Sequence, residues 1–230
     1  MNWQFLTMTA APPPLDADAI HVWSVPLDQP CDESLLTPDE AVRASRFKME
    51  RVRRQFVAAR VQLRQVLAGY LRIEPREVRI AIEINGKPVL DPSQAAGLHF
   101  NVSHSETLAL FSVTMVGPTG IDLEHRRVVP DAEALVERFF TARERAQFQT
   151  LPQADRFDAF FHAWTRKEAV LKAIGRGVQS LDQCDITFGP GEPEAVLRVE
   201  DDHDTRSKWV LRSWRPNEEF DAAVAVRLPV

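Results

Sequence analysis

Residues 157–178 read FDAFFHAWTRKEAVLKAIGRGV, and this stretch decides the fold of the chain around it. Its apolar side chains recur at helical spacing, which predicts a long and largely buried helix. Gly175 follows where a helix needs a left-handed residue to end it. Glu168 precedes Lys172 by one helical turn, so a carboxylate and an ammonium project along one flank. Two interpretations stay open here: a surface ion pair that supports the helix, and part of a functional site.

The composition is typical of an ordinary soluble protein. The 230 residues are 44% hydrophobic and 27% charged, which suits one domain or two small ones with a sizeable core. No apolar run approaches the roughly 20 residues that cross a bilayer, and the first residues lack the pattern of a signal peptide. Cys31 and Cys184 make neither a disulfide framework nor a metal cluster. We therefore expect a cytoplasmic protein that does not engage a membrane.

The net charge of −5 is unevenly distributed. Residues 43–64 carry eight arginines and lysines against one acid, Glu50, on a segment that otherwise has helical periodicity. A basic helix in an acidic chain indicates a polyanionic ligand, either a phosphorylated cofactor or nucleic acid, although part of this charge can be a solvated face. Nucleic acid is the weaker choice, because the charge is confined to one segment and the chain carries no nucleic-acid motif.

Turn and cap signals divide the rest of the chain into similar halves. Residues 1–18 form a proline-interrupted lead-in, which we expect to be poorly ordered. Thr37 opens a helix with a capping box to Glu40, and Asn85-Gly86 is a strong turn signal between strands. Each half contains a long amphipathic helix and strands joined by short turns. We therefore predict an α+β fold with an N-terminal lobe at 19–116, a C-terminal lobe at 117–230 and a site between them.

Two carboxylates alternate along a predicted strand. Asp122 and Glu124 face the same way while their neighbours turn to the core, so the two charges repel unless a positive group lies beside them. A half-exposed edge strand explains the pattern equally well. With Glu168 the set becomes three oxygen ligands, which favour a hard cation, above all Mg²⁺.

Ser103 and His104 follow one another after a strand. A nucleophile with its base is one interpretation, but adjacent residues rarely align in that way and the chain has no nucleophile elbow. A structural loop histidine is another. The third is a phosphate contact, since a hydroxyl and an imidazole beside backbone N–H groups suit an anion.

Four short motifs, in this order, resemble those of the Sfp-type 4′-phosphopantetheinyl transferases. They are Gly86-Lys87-Pro88, Phe100–Ser105, Gly120–Glu124 and Trp164–Ala173. The likeness runs from about Arg43 to the last strand. It implies two pseudo-symmetric lobes in one chain, each a small antiparallel sheet packed against a long helix, with coenzyme A in the cleft between them.

The resemblance also implies a role for each residue of the motifs. Asp122, Glu124 and Glu168 match the Mg²⁺ ligands, and Glu168 and Lys172 match the catalytic pair. The residues that match contacts to coenzyme A are Arg43, Gly86, Lys87, Pro88, Ser103, His104 and Lys172. Glu168 is the expected general base, with Lys172 or a metal-bound hydroxide as alternatives.

The implied reaction transfers phosphopantetheine from coenzyme A to a serine of an apo acyl or peptidyl carrier protein, releasing adenosine 3′,5′-bisphosphate. We expect a monomer with no nucleic-acid partner, and we expect the carrier to dock on residues 125–140. Two other classes stay open at this point. One is a different Mg²⁺-dependent nucleotide phosphotransferase or hydrolase, and the other is a non-catalytic carrier-protein or nucleotide binding module.

Overall fold

A computed structural model describes residues 1–8, 12–189, 191–200 and 208–229. The N-terminal half contains strands β1 (Asn2–Thr7), β2 (Ala19–Pro26), β3 (Ile80–Ile82), β4 (Pro88–Leu90), β5 (His99–Ser105) and β6 (Leu108–Thr114), and helices α1 (Pro38–Ser45), α2 (Glu50–Leu71) and α3 (Pro92–Ala95). The C-terminal half contains strands β7 (Thr119–His125), β8 (Cys184–Ile186), β9 (Val196–Val199), β10 (Trp209–Asn217) and β11 (Phe220–Arg227), and helices α4 (Ala132–Phe139), α5 (Ala142–Thr150) and α6 (Gln153–Ala173).

The N-terminal half packs helix α2 on a four-stranded sheet of order β1-β2-β6-β5. The basic segment is divided between two helices, because α1 ends at Ser45 and α2 begins at Glu50. The predicted capping box is also confirmed: the Thr37 hydroxyl accepts from the Glu40 N–H, and the Glu40 carboxylate accepts from the Thr37 N–H. The turn at Asn85-Gly86 joins the small hairpin of β3 and β4.

The lead-in differs from its prediction. Residues 2–7 form β1, which pairs in parallel with β2, so the expectation of poor order before residue 19 is wrong for this segment, and this sheet is mixed instead of purely antiparallel. The support comes from the far end of the chain, where Phe5 packs edge-on against Trp214 at 5.0 Å. The Arg212 guanidinium lies over the rings of Trp3 and Phe5. These packing contacts on β1 come from residues more than 200 positions away, so no local sequence pattern signals them.

The C-terminal half packs α6 on an antiparallel sheet of order β10-β11-β7. The predicted long helix is confirmed, and Gly175 has the expected positive φ of 71° just after it. A second pair of strands, β8 and β9, lies beside α6. Across the described ranges, no helix is both long enough and apolar enough to span a membrane.

The two halves meet along β5 and β7, which are edge strands of their sheets. Alternate polar side chains of β5 accept backbone N–H groups of β7: Asn101 Oδ1 from Ile121 at 3.0 Å, Ser103 Oγ from Leu123 at 3.2 Å and Ser105 Oγ from His125 at 3.1 Å. These side chains replace the usual backbone ladder between neighbouring strands. The α+β architecture is as expected, and the division of the chain near residue 116 stays a prediction.

Candidate active site

Strand β7 and helix α6 bring the three predicted carboxylates to one place. Ile121 and Leu123 are buried, so Asp122 and Glu124 share the opposite face of β7. Gly120 lets β7 lie directly on the helix, since a Cβ there would stand 2.1 Å from the Ala169 carbonyl oxygen. This close approach explains why a glycine precedes the acidic pair.

Lys172 joins the helix to the strand. Its Nζ donates to Asp122 Oδ1 at 2.6 Å and to Ser103 Oγ at 3.1 Å, and Ser103 Oγ in turn donates to Asp122 Oδ1 at 3.1 Å. Glu168 is only 8% exposed. The interpretation of Glu168 and Lys172 as a surface pair is therefore wrong, because Glu168 is buried and the Lys172 ammonium pairs with the buried Asp122.

Burial dominates the electrostatics of this cluster. Burial and the neighbouring Asp122 carboxylate raise the pKa of Glu124 to about 7, with Glu168 adding to the effect. Burial and Asp122 likewise raise the pKa of Glu168 to about 7. For Lys172, burial alone would lower the pKa, but Asp122 and Glu168 outweigh it and the pKa is raised. The cluster therefore holds more negative charge than one lysine neutralises.

The donor set suits a hard divalent cation. No three His, Cys, Asp or Glu side chains among the described residues stand in ready metal-ligating geometry. However, Asp122 Oδ2 is buried, and within the described ranges no donor reaches it. A buried carboxylate oxygen without a donor is costly, and two neighbouring carboxyls with raised pKa values add oxygen ligands beside it. These residues fit such a cation, because its positive charge would offset the surplus negative charge of the cluster.

A cavity of about 420 Å³ opens beside this cluster. Its lining includes five of the residues assigned to coenzyme A by resemblance, namely Arg43, Gly86, Pro88, Ser103 and His104. Sequence analysis missed the aromatic and aliphatic part of the lining, Phe47, Phe56, Ile82 and Phe111. For Phe56, its helical spacing with the basic residues of α2 was a sequence signal that it lies on the same face as they do.

Ser103 and His104 do not form a nucleophile with its base. The Ser103 hydroxyl donates to Asp122 and accepts from Lys172, so it belongs to the carboxylate cluster. His104 lines the cavity, and burial of its ring together with the nearby Lys172 lowers its pKa. A neutral imidazole at neutral pH can still donate one hydrogen bond to an anion.

Several basic residues have structural partners in place of the predicted polyanion. Arg60 and Arg64 both bind the buried Glu40 carboxylate, each at 2.7 Å, and Arg64 also donates to the Val78 carbonyl. Arg53 pairs with Glu33 in bidentate fashion. Arg43 remains at the cavity, with its guanidinium 5.1 Å from the centre of the Phe56 ring.

Lys87 is the one residue of its motif that points away from the cavity. Its ammonium donates to the carbonyls of Ala173 at 2.7 Å and Thr119 at 3.3 Å. The structure therefore brings Gly86 and Pro88 to the predicted cofactor cavity, whereas the Lys87 side chain contacts the end of α6 and the start of β7.

Arg126 is also committed to the fold. Its guanidinium binds the carboxylates of Asp158 and Asp221 and lies 4.8 Å from the centre of the Phe157 ring. Arg126 lies within the predicted docking segment, but these ion pairs already neutralise its charge. Of the predicted docking segment, Val128 is 82% exposed.

Two family models and several known proteins match this chain. Residues 118–225 match the family model of the 4′-phosphopantetheinyl transferase superfamily, and residues 28–115 match that of a 4′-phosphopantetheinyl transferase N-terminal region. The chain is 41% identical over 216 residues to the 4′-phosphopantetheinyl transferase HetI of Nostoc sp., covering 91% of this chain and 88% of that protein. It is 24% identical over 218 residues to the 4′-phosphopantetheinyl transferase Sfp of Bacillus subtilis, covering 91% and 93% respectively.

The chain therefore belongs to the 4′-phosphopantetheinyl transferase family, and the resemblance found in its four motifs is confirmed. It is an enzyme that transfers phosphopantetheine to carrier proteins. This membership decides against the nucleotide hydrolase and the non-catalytic binding module.

Proposed function

We propose that coenzyme A binds in the cavity beside β5 and that its diphosphate meets the cluster of Asp122, Glu124 and Glu168, where a divalent cation, Mg²⁺ in the first place, is held. The observation that carries this proposal is the buried Asp122 Oδ2, which no donor among the described residues reaches and whose carboxylate neighbours two carboxyls with raised pKa values. When bound, such a cation would offset the charge that develops on the diphosphate as the phosphoester is transferred.

The chain's own residues supply positioning and proton transfer. Lys172 holds Asp122 and Ser103 in place and adds a positive charge next to the diphosphate. Glu168 is our candidate for the general base that takes the proton of the carrier's serine. Burial and the neighbouring Asp122 make this carboxyl more basic than an ordinary glutamate, and ligation of a cation would lower that basicity.

The nucleotide end of coenzyme A is assigned to the far part of the cavity. Arg43 supplies a fixed positive charge there, and the backbone of Gly86 and Pro88 forms one wall. Phe47 and Phe56, whose ring centroids lie 5.2 Å apart, add apolar surface to the lining, which suits an adenine ring. His104, which also lines the cavity, is placed to donate to a phosphate oxygen.

The carrier protein is assigned to the segment from His125 to Phe140, which follows the carboxylate strand. Val128 offers exposed apolar surface, and Arg127 and Arg138 offer positive charge toward an acidic partner. Arg126 is excluded from this surface by its two ion pairs. Exposed rim charges of this kind act mainly on the rate of association.

We also propose that the protein works in the cytoplasm as a monomer. Both cysteines are free thiols, as a reducing compartment requires, and Cys184 is buried. Light scattering at micromolar concentration tests the oligomeric state, and a mass of two chains would contradict the monomer.

The decisive experiment incubates the protein with coenzyme A, Mg²⁺ and a panel of apo carrier proteins, and measures the intact mass of each carrier. We expect at least one carrier to gain one phosphopantetheine on its serine and adenosine 3′,5′-bisphosphate to appear in equal amount. Carrier with that serine changed to alanine is the control. A panel that stays unmodified, with coenzyme A intact, would overturn the proposal.

A further inference from the structure

We propose that Asn85 and Lys87 form a latch that ties the wall of the cofactor cavity to the C-terminal end of α6. In this proposal Lys87 is a positioning residue, not a ligand of coenzyme A. The role of the latch in catalysis rests on the proposed function, whereas its existence rests on contacts that need no ligand.

The end of α6 needs donors from outside the helix. Its last turn closes in a Schellman motif, in which the Arg176 N–H donates to the Leu171 carbonyl at 2.8 Å and the Gly175 N–H to the Lys172 carbonyl at 3.3 Å. The next carbonyl, of Ala173, accepts from the Lys87 ammonium at 2.7 Å. A donor from the N-terminal lobe thus completes the helix end.

The charge of Lys87 has the correct sign for this position. A helix C-terminus carries partial negative charge, so a cation beside its carbonyls is stabilised. The ammonium also donates to the Thr119 carbonyl at 3.3 Å, where β7 begins. Burial lowers the pKa of Lys87, as expected for an ammonium enclosed between two lobes.

Asn85 makes a second bond from the same turn. Its Nδ2 donates to the Gly175 carbonyl at 2.6 Å, and its Oδ1 accepts from the Lys87 N–H at 3.0 Å, which fixes the shape of the turn. A Cβ at Gly175 would stand 2.2 Å from Asn85 Nδ2. Gly175 is therefore required twice, for its positive φ and for the approach of Asn85.

Alternation along the hairpin separates two tasks. Gly86 and Pro88 line the cofactor cavity, whereas Lys87 lies between them on the opposite side, where it lines a separate cavity with His99 and Thr119. One short segment therefore forms a wall of the cofactor cavity and holds the helix end. Because α6 carries Glu168 and Lys172, the wall and these two groups move as one unit.

A latch residue and a residue that contacts the 3′-phosphate should affect the binding of coenzyme A in different ways. In Lys87→Met, affinities for coenzyme A and for dephospho-coenzyme A should fall together, by about ten-fold for one charge-assisted bond, with their ratio unchanged. In Arg43→Ala the ratio of the affinities for coenzyme A and dephospho-coenzyme A should fall toward one. Calorimetry with both ligands on both variants measures this. A Lys87→Met protein that has lost the discrimination would overturn the latch.

A second measurement needs neither ligand nor activity. Hydrogen exchange of the amides at residues 173–176 should be about ten-fold faster in Lys87→Met and in the milder Asn85→Ala, and should return toward wild type in Lys87→Arg. Lys208→Met, at an exposed lysine, is the matched control. Unchanged exchange in both variants refutes the latch. If the wild-type protein modifies no carrier, the proposed function fails, and this exchange result still decides on the latch.

Discussion

Helix α6 carries two lysines that pair with buried carboxylates, and the two pairs differ in how completely they are satisfied. Lys167 and Glu144 are both fully buried, and the Glu144 carboxylate also accepts the N–H groups of Thr141 and Ile186. The Lys167 ammonium donates further to the Cys184 carbonyl. Every charge in this pair has its hydrogen bonds, as a structural ion pair requires.

The second pair, Lys172 with Asp122, is incomplete. Asp122 Oδ2 has no donor within the described residues, Lys172 is 28% exposed at its side chain, and two more carboxyls lie near with pKa values of about 7. A cluster that folds with surplus negative charge is a site prepared for a positive ligand. The comparison teaches that burial alone does not distinguish the candidate site, whereas a surplus of buried negative charge beside a cavity does.

The largest effect should come from removing Glu168, the proposed general base in the incomplete cluster. Glu168→Gln keeps the size and one oxygen but loses the proton acceptor, so kcat should fall by about 10²–10⁴-fold while coenzyme A affinity changes less. Asp122→Asn should weaken only the cation site. Activity measured against Mg²⁺ and Mn²⁺ concentration separates them, because excess cation should restore Asp122→Asn and leave Glu168→Gln slow. Near-native kcat of Glu168→Gln at high Mg²⁺ would place the base elsewhere.

The next effect concerns the complete pair. Lys167→Met leaves the Glu144 charge buried without its cation, so the free energy of unfolding should fall by about 3–5 kcal/mol. Lys172→Met should cost less stability, since the Lys172 side chain is partly exposed, yet it should cost far more activity per folded molecule. Urea unfolding of both variants, with Lys208→Met as control, measures the stability. Equal destabilisation by the two substitutions would erase the contrast between the pairs.

The surplus charge also predicts an unusual dependence of stability on pH. A carboxyl whose folded pKa rises from 4.5 to about 7 binds its proton more tightly in the folded state, so it costs stability as pH rises through this window. Glu124→Gln should therefore have the same free energy of unfolding as wild type at pH 4.5. At pH 8 in the presence of a chelator, the variant should be more stable than wild type by about 2 kcal/mol, after allowance for solvent screening. Urea titrations at both pH values test this, with the exposed Glu133→Gln as control. Wild-type stability of Glu124→Gln at pH 8 contradicts it.

The smallest effect is expected on the docking segment outside both pairs. Arg138 lies over the Phe139 ring at 4.9 Å. One exposed charge contributes about 1 kcal/mol to binding of the carrier, so Arg138→Glu should raise KM for the carrier several-fold. KM for coenzyme A should stay unchanged. Arg198→Glu, on an exposed part of β9, is the control. If KM for both substrates rises equally, the segment does not carry the docking surface.

Local patterns in the sequence were sufficient for much of the fold. The period of α6, its end at Gly175, the capping boxes at Thr37 and Thr141, and the alternation of Asp122 with Glu124 all depend on neighbours within a few residues, and all are found in the structure. Motif order was enough to place the chain in its family. The same reasoning could not find β1, because its support comes from Trp214 and Arg212 more than 200 residues away.

What the sequence alone determined is which residues carry charge and on which face of a strand or helix they lie, because backbone periodicity sets both. Only the tertiary structure decided where each charge finds its partner. It sends Lys172 to Asp122, Lys87 to the end of α6, Arg64 to Glu40 and Arg126 to Asp221. Long side chains reach across elements that are distant in sequence, and the burial of each group sets the cost of leaving it unpaired. Which carboxylate or carbonyl each basic side chain contacts is therefore a property of the packed molecule. These contacts distinguish the basic residues that stabilise the fold from those that lie at the candidate site.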